Sequence, residues 1–600
     1  MAALRSLDDE ALEASFNKGL FFRLLRYLKP YRKQIAVSFV LMIIAAICGL
    51  AGPFLMSRAI GALEVQDGAA LPWLVGGMLL ASLVGALCLR MRVRTMDTAG
   101  RKAIAALRQD LFNHIQTLSF SFFDSRSAGK IMVRVINDVN SLNELFTGGI
   151  INVLVDCLTL VLLVVIMLVI NWQLTLVALC SLLALFALIA ILRTRMRHAW
   201  QVVRMKTSTM NGYLHESLAG MRVTQAFVRE ERNRETFDDT NEEIRKGWMR
   251  AVGNNNLFWP CIDTLGSIGT TGVYIVGMLL MGVGVHAGTG LALADLLVIL
   301  WYLGRFWEPI NNLANFYNSV LTAMASIERI YEIMDTPADI ADSSPDAPEL
   351  PPIQGEVVFD EVTFGYTPEV MVLKDVSFRV QPGQTVALVG PTGAGKSTVV
   401  NLVSRFCDVT QGAVRIDGCD VRDVKLHSLR RQMSVMLQDS FIFSGTVIDN
   451  IRYGKPEATE EEVVAAAKAV HVHDFVMQLP KGYQTEVFER GSSLSVGQKQ
   501  LISFARALLC DPRILILDEA TSSIDTHTEL LIQQAMEVLL KGRTSFVIAH
   551  RLSTIRKADC IMVVRDHHIT ESGTHEQLMQ LPGGHYRGLC EAQYRFMQGA

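Results

Sequence analysis

The chain has 600 residues, half of them hydrophobic, and a mean hydropathy of +0.29, so it is too long for one domain and too apolar for an ordinary soluble enzyme. Its net charge of −3 gives no basic excess, which argues against a nucleic-acid partner. The ten cysteines are scattered without a C-x-x-C pair, so the sequence predicts neither a disulfide framework nor a zinc site.

The N-terminal segment MAALRSLDDEALEAS lacks the features of a cleaved targeting signal. It carries several acidic residues and has no apolar stretch behind a basic start. Membrane insertion is therefore expected to use the first membrane helix.

Six apolar runs are long enough to cross a bilayer, which takes roughly 20 residues. Lys and Arg cluster before the first run, after the second and after the fourth, whereas the short links on the other side hold neither. Since positive charge stays on the cytoplasmic side of a membrane, both termini are predicted to be cytoplasmic, in a plasma (inner) membrane protein. The runs begin near Ile35, Leu71, Gly149, Leu174, Leu257 and Leu291.

Long polar stretches separate the second run from the third and the fourth from the fifth. As helical hairpins they would reach roughly 40 Å into the cytoplasm, at about 1.5 Å per residue. Their turns lie at Leu118–Val139 and His215–Glu230, each with glycine and polar residues around a short amphipathic stretch. From composition alone, ordinary loops are the favoured interpretation of both turns.

The composition changes after Met334. The following sequence, DTPADIADSSPDAPELPPIQGE, is rich in proline, acidic and small residues, which is typical of an extended linker. From about Gly355, β-branched runs alternate with helical segments, which predicts a mostly parallel α/β sheet. The runs are QTVALVG, MSVML, RILILDE, TSFVIAH and CIMVV.

A glycine-rich sequence, GPTGAGKST, lies between the strand TVALV and the helical stretch TVVNLVSRF. This is the context of a phosphate-binding loop. Its backbone N–H groups can converge on phosphate oxygens, Lys396 can reach the terminal phosphates, and the Ser397 hydroxyl can bind Mg²⁺. ATP and Mg²⁺ are therefore the predicted cofactors. The loop residues are Gly390, Pro391, Thr392, Gly393, Ala394, Gly395, Lys396, Ser397 and Thr398.

Two carboxylates end the strand of ILILDEATSSID. Asp518 can hold the water shell of Mg²⁺, and Glu519 can polarise an attacking water. His550 ends a later strand, in FVIAHRLST, where it could contact a γ-phosphate. Taken alone, an Asp-Glu pair or a histidine at a strand end is often only structural. The evidence for a functional role is that these residues occur together.

Together these sequences resemble the nucleotide-binding domain of ATP-binding cassette transporters, from Gly355 to the C-terminus. The resemblance rests on GPTGAGKST, VMLQDSFIFSGTVIDNI, ERGSSLSVGQKQLISFARAL, ILILDEATSSID and His550. It implies that Tyr366 stacks on adenine and that Asp525 lies at a dimer seam. Implied catalytic roles fall to Glu519, His550 and Gln438, and implied Mg²⁺ contacts to Ser397, Gln438 and Asp518. The residues implied to bind the nucleotide of a second subunit are Ser495, Gly497 and Gln498.

The six spans ahead of the cassette resemble the exporter half-transporters of this family. The expected fold is a polytopic α-helical membrane domain, with six transmembrane helices and long cytoplasmic extensions, fused to an α/β P-loop nucleotide-binding domain. The two turns then resemble coupling segments, around Phe122–Asp124 and His215–Gly220. The implied divisions are a cytoplasmic tail and elbow helix at 1–33, a membrane domain at 34–335, a linker at 336–354 and the nucleotide-binding domain at 355–600.

The signature segment departs from the family pattern at Val496. The family usually has L-S-G-G-Q at the start of a helix, and here the first glycine is valine. Valine adds bulk and stiffens the backbone where the chain passes close to a phosphate. Because Glu519 and His550 are intact, the departure is expected to weaken only the site that this chain completes for its partner. This favours a heterodimer with a second half-transporter; the alternative is a homodimer that tolerates the valine.

The expected function is ATP-driven export of small amphipathic molecules (drugs, lipids or peptides) by alternating access. The membrane lipid and the amphipathic substrate are the other expected partners. A lipid floppase and a nucleotide-gated sensor or channel are the alternatives, and Glu519 argues against the latter because gating needs no turnover. Asp156 and Asp263 lie inside apolar runs, which predicts that they face a wet cavity or lie near a span end.

Overall fold

A computed structural model describes the chain from residue 17 to residue 598 with short gaps. The described ranges are 17–64, 66–281, 293–344, 346–367, 369–436, 440–488, 491–518, 526–549 and 552–598. The chain forms two compact units: a helical unit, Met1–Gln116 with Ser127–Thr336, and an α/β unit, Thr117–Arg126 with Pro337–Ala600.

The helical unit is built from long helices, as its continuous apolar runs predict. A 3₁₀ turn occupies Arg26–Tyr31, and π-helical turns occupy Arg134–Asp138 and Leu145–Gly149. The helices as far as the end of this unit, including α4 of the α/β unit, are α1 Lys18–Leu25, α2 Arg32–Glu64, α3 Leu71–Thr117, α4 Phe120–Ser125, α5 Ala128–Val133, α6 Val139–Ser141, α7 Ile150–Ile170, α8 Trp172–Ala219, α9 Met221–Ala226, α10 Glu230–Leu280, α11 Leu293–Arg305 and α12 Trp307–Met334.

Several described helices have the length and composition of membrane spans. Lys18–Leu63, Leu71–Thr117 and Ala128–Ile170 are long and apolar enough to cross a bilayer, and Trp172–Ala184 is a shorter apolar stretch. These four stretches coincide with the first four predicted spans. The fifth predicted span begins inside α10, and the predicted start of the sixth, at Leu291, lies outside the described residues, just ahead of α11.

Both predicted cytoplasmic hairpins are helical, but only the second has two continuous arms. Helices α8 and α10 have 48 and 51 residues, roughly 70 Å at about 1.5 Å per residue. In the first hairpin the returning arm breaks into α5, α6 and the two π-helical turns. Gly148 has a φ of 145°, which disfavours any side chain. A Cβ on Gly149 would lie 2.8 Å from the Phe316 ring, so the break permits close packing against α12.

A buried ion pair joins the first π-helical turn to α12. The carboxylate of Asp138, only 5% exposed, accepts from Arg134 at 3.0 Å and from Arg329 at 2.6 Å. The Ser326 hydroxyl also donates to it, at 3.3 Å. Because buried charges are stable only when paired and hydrogen-bonded, this cluster fixes the register between the two elements.

The α/β unit contains twelve strands and the remaining helices among the described residues. The strands are β1 Val357–Thr367, β2 Val370–Val380, β3 Thr385–Val389, β4 Gln411–Ile416, β5 Cys419–Asp420, β6 Met433–Met436, β7 Gly445–Thr446, β8 Glu486–Val487, β9 Ile514–Asp518, β10 Thr544–Ile548, β11 Cys560–Arg565 and β12 His568–Gly573. The helices are α13 Lys396–Val403, α14 Leu426–Arg430, α15 Val447–Arg452, α16 Glu460–Ala469, α17 His473–Met477, α18 Val496–Leu509, α19 Thr526–Leu540, α20 Leu552–Arg556, α21 His575–Gln580 and α22 His585–Gln598.

The main sheet has the strand order β12-β11-β3-β10-β9-β6. The five strands from β11 to β6 are parallel, and β12 is antiparallel at the edge. These five strands are the five β-branched runs predicted from the sequence. A second, antiparallel sheet has the order β2-β1-β4-β5. One core joins this sheet, α13 and the main sheet through Phe359, Val399 and Phe546, so α13 is held rigidly between two sheets.

The segment predicted to be a linker packs on the α/β unit. Leu350 and Ile353 are buried, and their N–H groups donate to the side chains of Ser428 and Gln432, both at 2.9 Å. The carboxylate of Asp417 then accepts from three successive backbone N–H groups, at residues 354–356. The chain is therefore fixed before β1 begins, and the linker boundaries stay a prediction.

The two predicted coupling segments differ in their surroundings. The first forms α4 within the α/β unit, where Phe122 is buried and the Phe120 ring stacks on Phe406 with centroids 5.5 Å apart. The second, at the end of α8 and in α9, belongs to the helical unit. Its apolar side chains are exposed, with Leu218 at 67% and Val223 at 61%.

Replacing Asp138 with Ala is expected to destabilise the protein by about 3 kcal/mol, because two partly buried guanidinium groups lose their buried counter-charge. The measurement is the thermal unfolding midpoint in detergent, followed by size-exclusion chromatography of heated samples. Asp97→Ala is the matched control, since its ion pair with Arg101 is exposed and is expected to contribute little. Equal midpoints for the two variants would contradict the role of the buried cluster.

Candidate nucleotide-binding site

The phosphate loop connects β3 to α13 and requires glycine at three positions. Gly390, Gly393 and Gly395 have φ values of 147°, 83° and 102°, a region that disfavours other residues. A Cβ on Gly390 would overlap the carbonyl oxygen of Val564, whereas one on Gly393 would meet no atom. The glycine pattern that predicted the loop therefore has a steric cause at Gly390 and a conformational one at Gly393.

Lys396 is the first residue of α13, and its side chain is buried inside the loop. Its Nζ donates to the carbonyl oxygens of Gly390 at 2.9 Å and Pro391 at 2.8 Å. Burial lowers the pKa of this ammonium, and the nearby Asp518 carboxylate, at the end of β9, opposes that shift. Two neutral carbonyl groups do not offset a buried positive charge, so the site suits an anionic ligand such as a phosphate chain.

The next residues of the loop fit the predicted Mg²⁺ site. The Ser397 side chain is exposed and makes no hydrogen bond within the described part of the chain. The described residues also hold no cluster of three or more His, Cys, Asp or Glu side chains that could bind a metal. Mg²⁺ commonly binds through one or two protein oxygens together with phosphates and water, and the predicted ligands Ser397 and Asp518 offer such oxygens.

Tyr366 lies at the end of β1 beside the phosphate loop. Its hydroxyl lies 3.3 Å from the Thr398 hydroxyl and accepts from the Asn401 amide at 3.4 Å. The edge of its ring packs on Phe364, and the residue is 56% exposed. A held ring with an exposed face can stack on a planar base, as the predicted adenine contact requires.

The signature segment begins α18 with a complete N-cap. The Ser495 Oγ accepts from the Gln498 N–H at 3.2 Å, and the Ser495 N–H donates to the Gln498 side chain at 3.0 Å. Gly497 is buried, while Val496 is 62% exposed. Because Val496 occupies an ordinary helical position, the helix start does not need glycine there. The effect of the valine is therefore its exposed bulk.

An arginine that the sequence analysis missed fixes the signature helix. Arg506, on α18, donates to the Asn450 carbonyl at 2.9 Å and to the Phe441 carbonyl at 3.1 Å. Burial lowers its pKa, and its guanidinium packs on the Phe443 and Tyr453 rings. The sequence signal that could have identified Arg506 is its position among apolar residues on the buried face of an amphipathic helix. It ties α18 to the segment that follows Gln438 in the sequence.

Four predicted site residues lie outside the described residues: Gln438, Glu519, Asp525 and His550. Their roles stay predictions. The structure does bring the phosphate loop, Tyr366 and Asp518 together on the α/β unit. Ser495, Gly497 and Gln498 sit at the start of a different helix of the same unit.

Asp156 forms a polar cluster among the apolar helices of the helical unit. It is 8% exposed, and its Oδ1 faces the Asn312 amide at 3.5 Å. Its Oδ2 has no hydrogen-bond partner among the described residues. Arg92, on α3, donates to Asn152 at 2.6 Å, one turn of α7 before Asp156. A buried carboxylate with a free oxygen in an apolar domain is a candidate contact for a polar or cationic group.

Two family models match the chain. One, described as "ABC transporter transmembrane region", matches residues 35–303, and the other, described as "ABC transporter", matches residues 373–522. The first range falls within the predicted membrane domain and the second within the predicted nucleotide-binding domain.

Relatives extend this similarity over nearly the whole chain. An uncharacterized ABC transporter ATP-binding protein of Bacillus subtilis is 45% identical, over 98% of this chain and 96% of its own. An ATP-dependent lipid A-core flippase of Syntrophus aciditrophicus is 36% identical, over 99% and 98%. A fatty acid ABC transporter ATP-binding/permease protein of Mycobacterium tuberculosis is 39% identical, over 84% and 79%.

A solved structure is similar over nearly the whole chain. It is a bacterial Atm1-family ABC exporter with ATP bound, and it matches with a TM-score of 0.76 and 29% identity. The match covers 94% of this chain and 98% of that protein. The sequence order of helical and α/β parts is therefore that of a known exporter.

Gly390→Ala is expected to reduce ATP hydrolysis by about 100-fold, because the new Cβ overlaps the Val564 backbone and displaces the loop. Gly393→Ala is the matched control, with open space around its Cβ, and should cost about 5- to 30-fold through backbone strain alone. The measurement is phosphate release at saturating ATP, with thermal unfolding as a check on folding. A smaller loss for Gly390→Ala than for Gly393→Ala would contradict the steric explanation.

Proposed function

The chain belongs to the ABC transporter family and is an ATPase coupled to membrane transport, and we propose that it exports small amphipathic molecules as one half of a dimer. The observation that carries the proposal is the buried Lys396 within a complete phosphate loop, on the same chain as an exporter-type helical domain. The phosphate loop supplies a site for ATP. The helical domain supplies the part of the protein whose conformation ATP binding can change.

The chemistry of the site follows from its residues. The loop N–H groups and Lys396 hold the phosphates of ATP, and Tyr366 stacks on the base. Glu519 orients and deprotonates the attacking water, while Gln438 and His550 contact the reacting phosphate region. Ser397, Gln438 and Asp518 would hold Mg²⁺, which would supply positive charge to the phosphate oxygens. The bond broken lies between the β- and γ-phosphates, and the products are ADP and phosphate.

Two exposed surfaces support a second subunit. Ser495 and Val496, at the start of α18, face solvent, as expected if they meet a nucleotide bound by another chain. The turn that carries the second coupling segment, His215–Glu230, also exposes apolar side chains: Leu218 is 67% and Phe227 72% exposed. The first coupling segment, by contrast, buries Phe122 within its own α/β unit. Apolar groups that stay exposed beside a helical turn are typical of an interface, so we assign this segment to the cassette of the partner.

The partner is best explained as a different half-transporter. This chain keeps its own phosphate loop, and its departure at Val496 affects only the site that it completes for the other chain. A partner with the usual L-S-G-G-Q sequence would complete the site at Lys396 fully. The assembly then has one strong and one weak hydrolytic site.

The membrane is best explained as the plasma (inner) membrane, with both termini in the cytoplasm. The basic residues before α2 and after the second and fourth apolar runs support this orientation. ATP, which is made in the cytoplasm, is then available to the α/β unit.

Lipid translocation is a second candidate, favoured by the similarity to the lipid A-core flippase. An amphipathic cargo suits both drug export and lipid translocation. Its apolar part can contact the lipid, and its polar part can contact groups such as Asp156. Movement of labelled lipid between leaflets of proteoliposomes separates lipid translocation from drug export.

Glu519→Gln is expected to lower ATP hydrolysis by about 10²- to 10⁴-fold, the usual contribution of a general base, and to stop dye uptake into inverted vesicles. ATP binding should persist, because the loop is unchanged. Glu461→Gln, an exposed carboxylate at the start of α16, is the control and should behave as wild type. Transport at the normal rate by Glu519→Gln would favour the nucleotide-gated channel instead.

Val496→Gly, in the chain purified without a partner, is expected to raise ATP hydrolysis by about tenfold, equivalent to about 1.4 kcal/mol. Because the backbone at this position is helical, Val496→Ala should give most of the same gain by removing bulk alone. Phosphate release and oligomeric state are measured together. A wild-type homodimer with full, substrate-stimulated hydrolysis, unchanged by either substitution, would overturn the heterodimer.

A further inference from the structure

An apolar groove lies beside the start of α2 in the helical unit. Its cavity has a volume of about 500 Å³, within the roughly 300–1,000 Å³ of ligand pockets in proteins. The α1 helix, the 3₁₀ turn and α2 line one side, and α3 and the start of α7 line the other. Leu28, Met96, Leu145 and Ile151 form buried walls, while Leu154 is 54% exposed, so the groove has a dry interior and an open side.

Two cations line the same groove. Lys29, in the 3₁₀ turn, and Arg32, the first residue of α2, are both exposed. Neither side chain has a hydrogen bond or an ion pair with any other residue that the structure describes. Arg23, one helix earlier, is neutralised by Asp335 at 2.7 Å. The groove therefore combines an apolar interior with positive charge that no described residue offsets.

This combination selects an anionic amphiphile. A soluble anion would gain nothing from the apolar walls, and a neutral acyl chain would gain nothing from the cations. Arg32 begins α2, whose apolar stretch is long enough to cross a membrane, so the two cations lie where a first span enters the bilayer. Lys and Arg at this level attract the anionic lipids of the cytoplasmic leaflet.

We propose that the groove binds one acyl chain of an anionic phospholipid, with the lipid phosphate between Lys29 and Arg32. The proposal rests on the membrane placement given under Proposed function, and it does not depend on the cargo or on hydrolysis. The bound lipid is a resident of the protein, distinct from the exported molecule.

The groove is placed to stabilise the helical unit. Its walls include Leu145, in the second π-helical turn, and Ile151 of α7. The segment that carries Lys29 is itself anchored, because Tyr27 donates to Asp110 on α3 at 3.0 Å and Arg23 pairs with Asp335. A lipid chain in the groove would pack against the broken arm of the first hairpin on one side and against this anchored segment on the other.

The test uses the full chain in detergent, titrated with phosphatidylglycerol or with phosphatidylcholine of the same acyl chains. Bound lipid is counted by native mass spectrometry. One tightly held phosphatidylglycerol per chain is expected, preferred over phosphatidylcholine by about tenfold or more, the factor that two surface cations supply.

Two variants separate the contribution of charge to lipid binding from that of the apolar cavity. The double substitution Lys29→Ala with Arg32→Ala should remove the preference for phosphatidylglycerol and leave phosphatidylcholine binding unchanged. Ala36→Trp should weaken the binding of both lipids by filling the groove. The control is Arg26→Ala with Lys33→Ala, which removes the same charge from neighbouring exposed positions that do not line the groove, and it should keep the preference.

Equal binding of the two lipids by the wild type would overturn the proposal. So would a control that loses as much preference as the Lys29 and Arg32 variant, since the effect would then be net charge alone. Disulfide formation between two chains carrying Ala36→Cys, absent from wild-type chains with their native cysteines, would show that a second copy covers the groove instead. Repeating the titration with Glu519→Gln distinguishes the lipid site from the proposed export function. Lipid binding should persist in this variant even though export is absent.

Discussion

The burial of the Lys396 ammonium among the backbone carbonyl groups of the phosphate loop is the interaction on which the chemistry of the α/β unit depends. It sits inside a ring of backbone that carries partial charges only, so burial lowers its pKa and leaves an excess of positive charge. The ring exists because Gly390 lets the chain pass against the Val564 backbone and because Gly395, the N-cap of α13, has a positive φ. A phosphate chain offsets both the ammonium and the N–H groups at the helix start, so ligand binding and loop geometry reinforce each other.

The same helix leads directly to the contact with the first coupling segment. The α13 helix ends at Val403, and Phe406 follows, with its N–H donating to the Asn401 carbonyl at 2.8 Å. The Phe406 ring stacks on Phe120 of α4 and lies under the Arg430 guanidinium at 4.9 Å. Because α13 packs in one core with both sheets, the phosphate loop at its start and the aromatic contact beyond its end are parts of the same packed block. If α4 is the coupling segment that the sequence predicts, this packed contact is where a change at the ATP site would reach it.

The sequence predicted the features set by local pattern. Buried parallel strands appear as β-branched runs, and the phosphate loop appears as glycines at fixed spacing before Lys396, because each requirement acts on neighbouring residues. The broken arm was not predicted, since Gly149 is explained by the approach of Phe316 from a distant helix, and Gly148 beside it by a positive φ. Arg506 was missed for the same reason: its partners, Asn450 and Phe441, come from another part of the chain.

Val496 shows how a local departure can have a distant effect. The capping box between Ser495 and Gln498 is complete, so α18 begins normally and the valine leaves the local fold intact. The valine instead presents bulk to solvent at a surface where the family places another subunit's nucleotide. In the proposed heterodimer, this valine costs its own chain nothing and weakens only the site that it completes for the partner. The asymmetry of the proposed assembly thus follows from which surface carries the extra methyl groups.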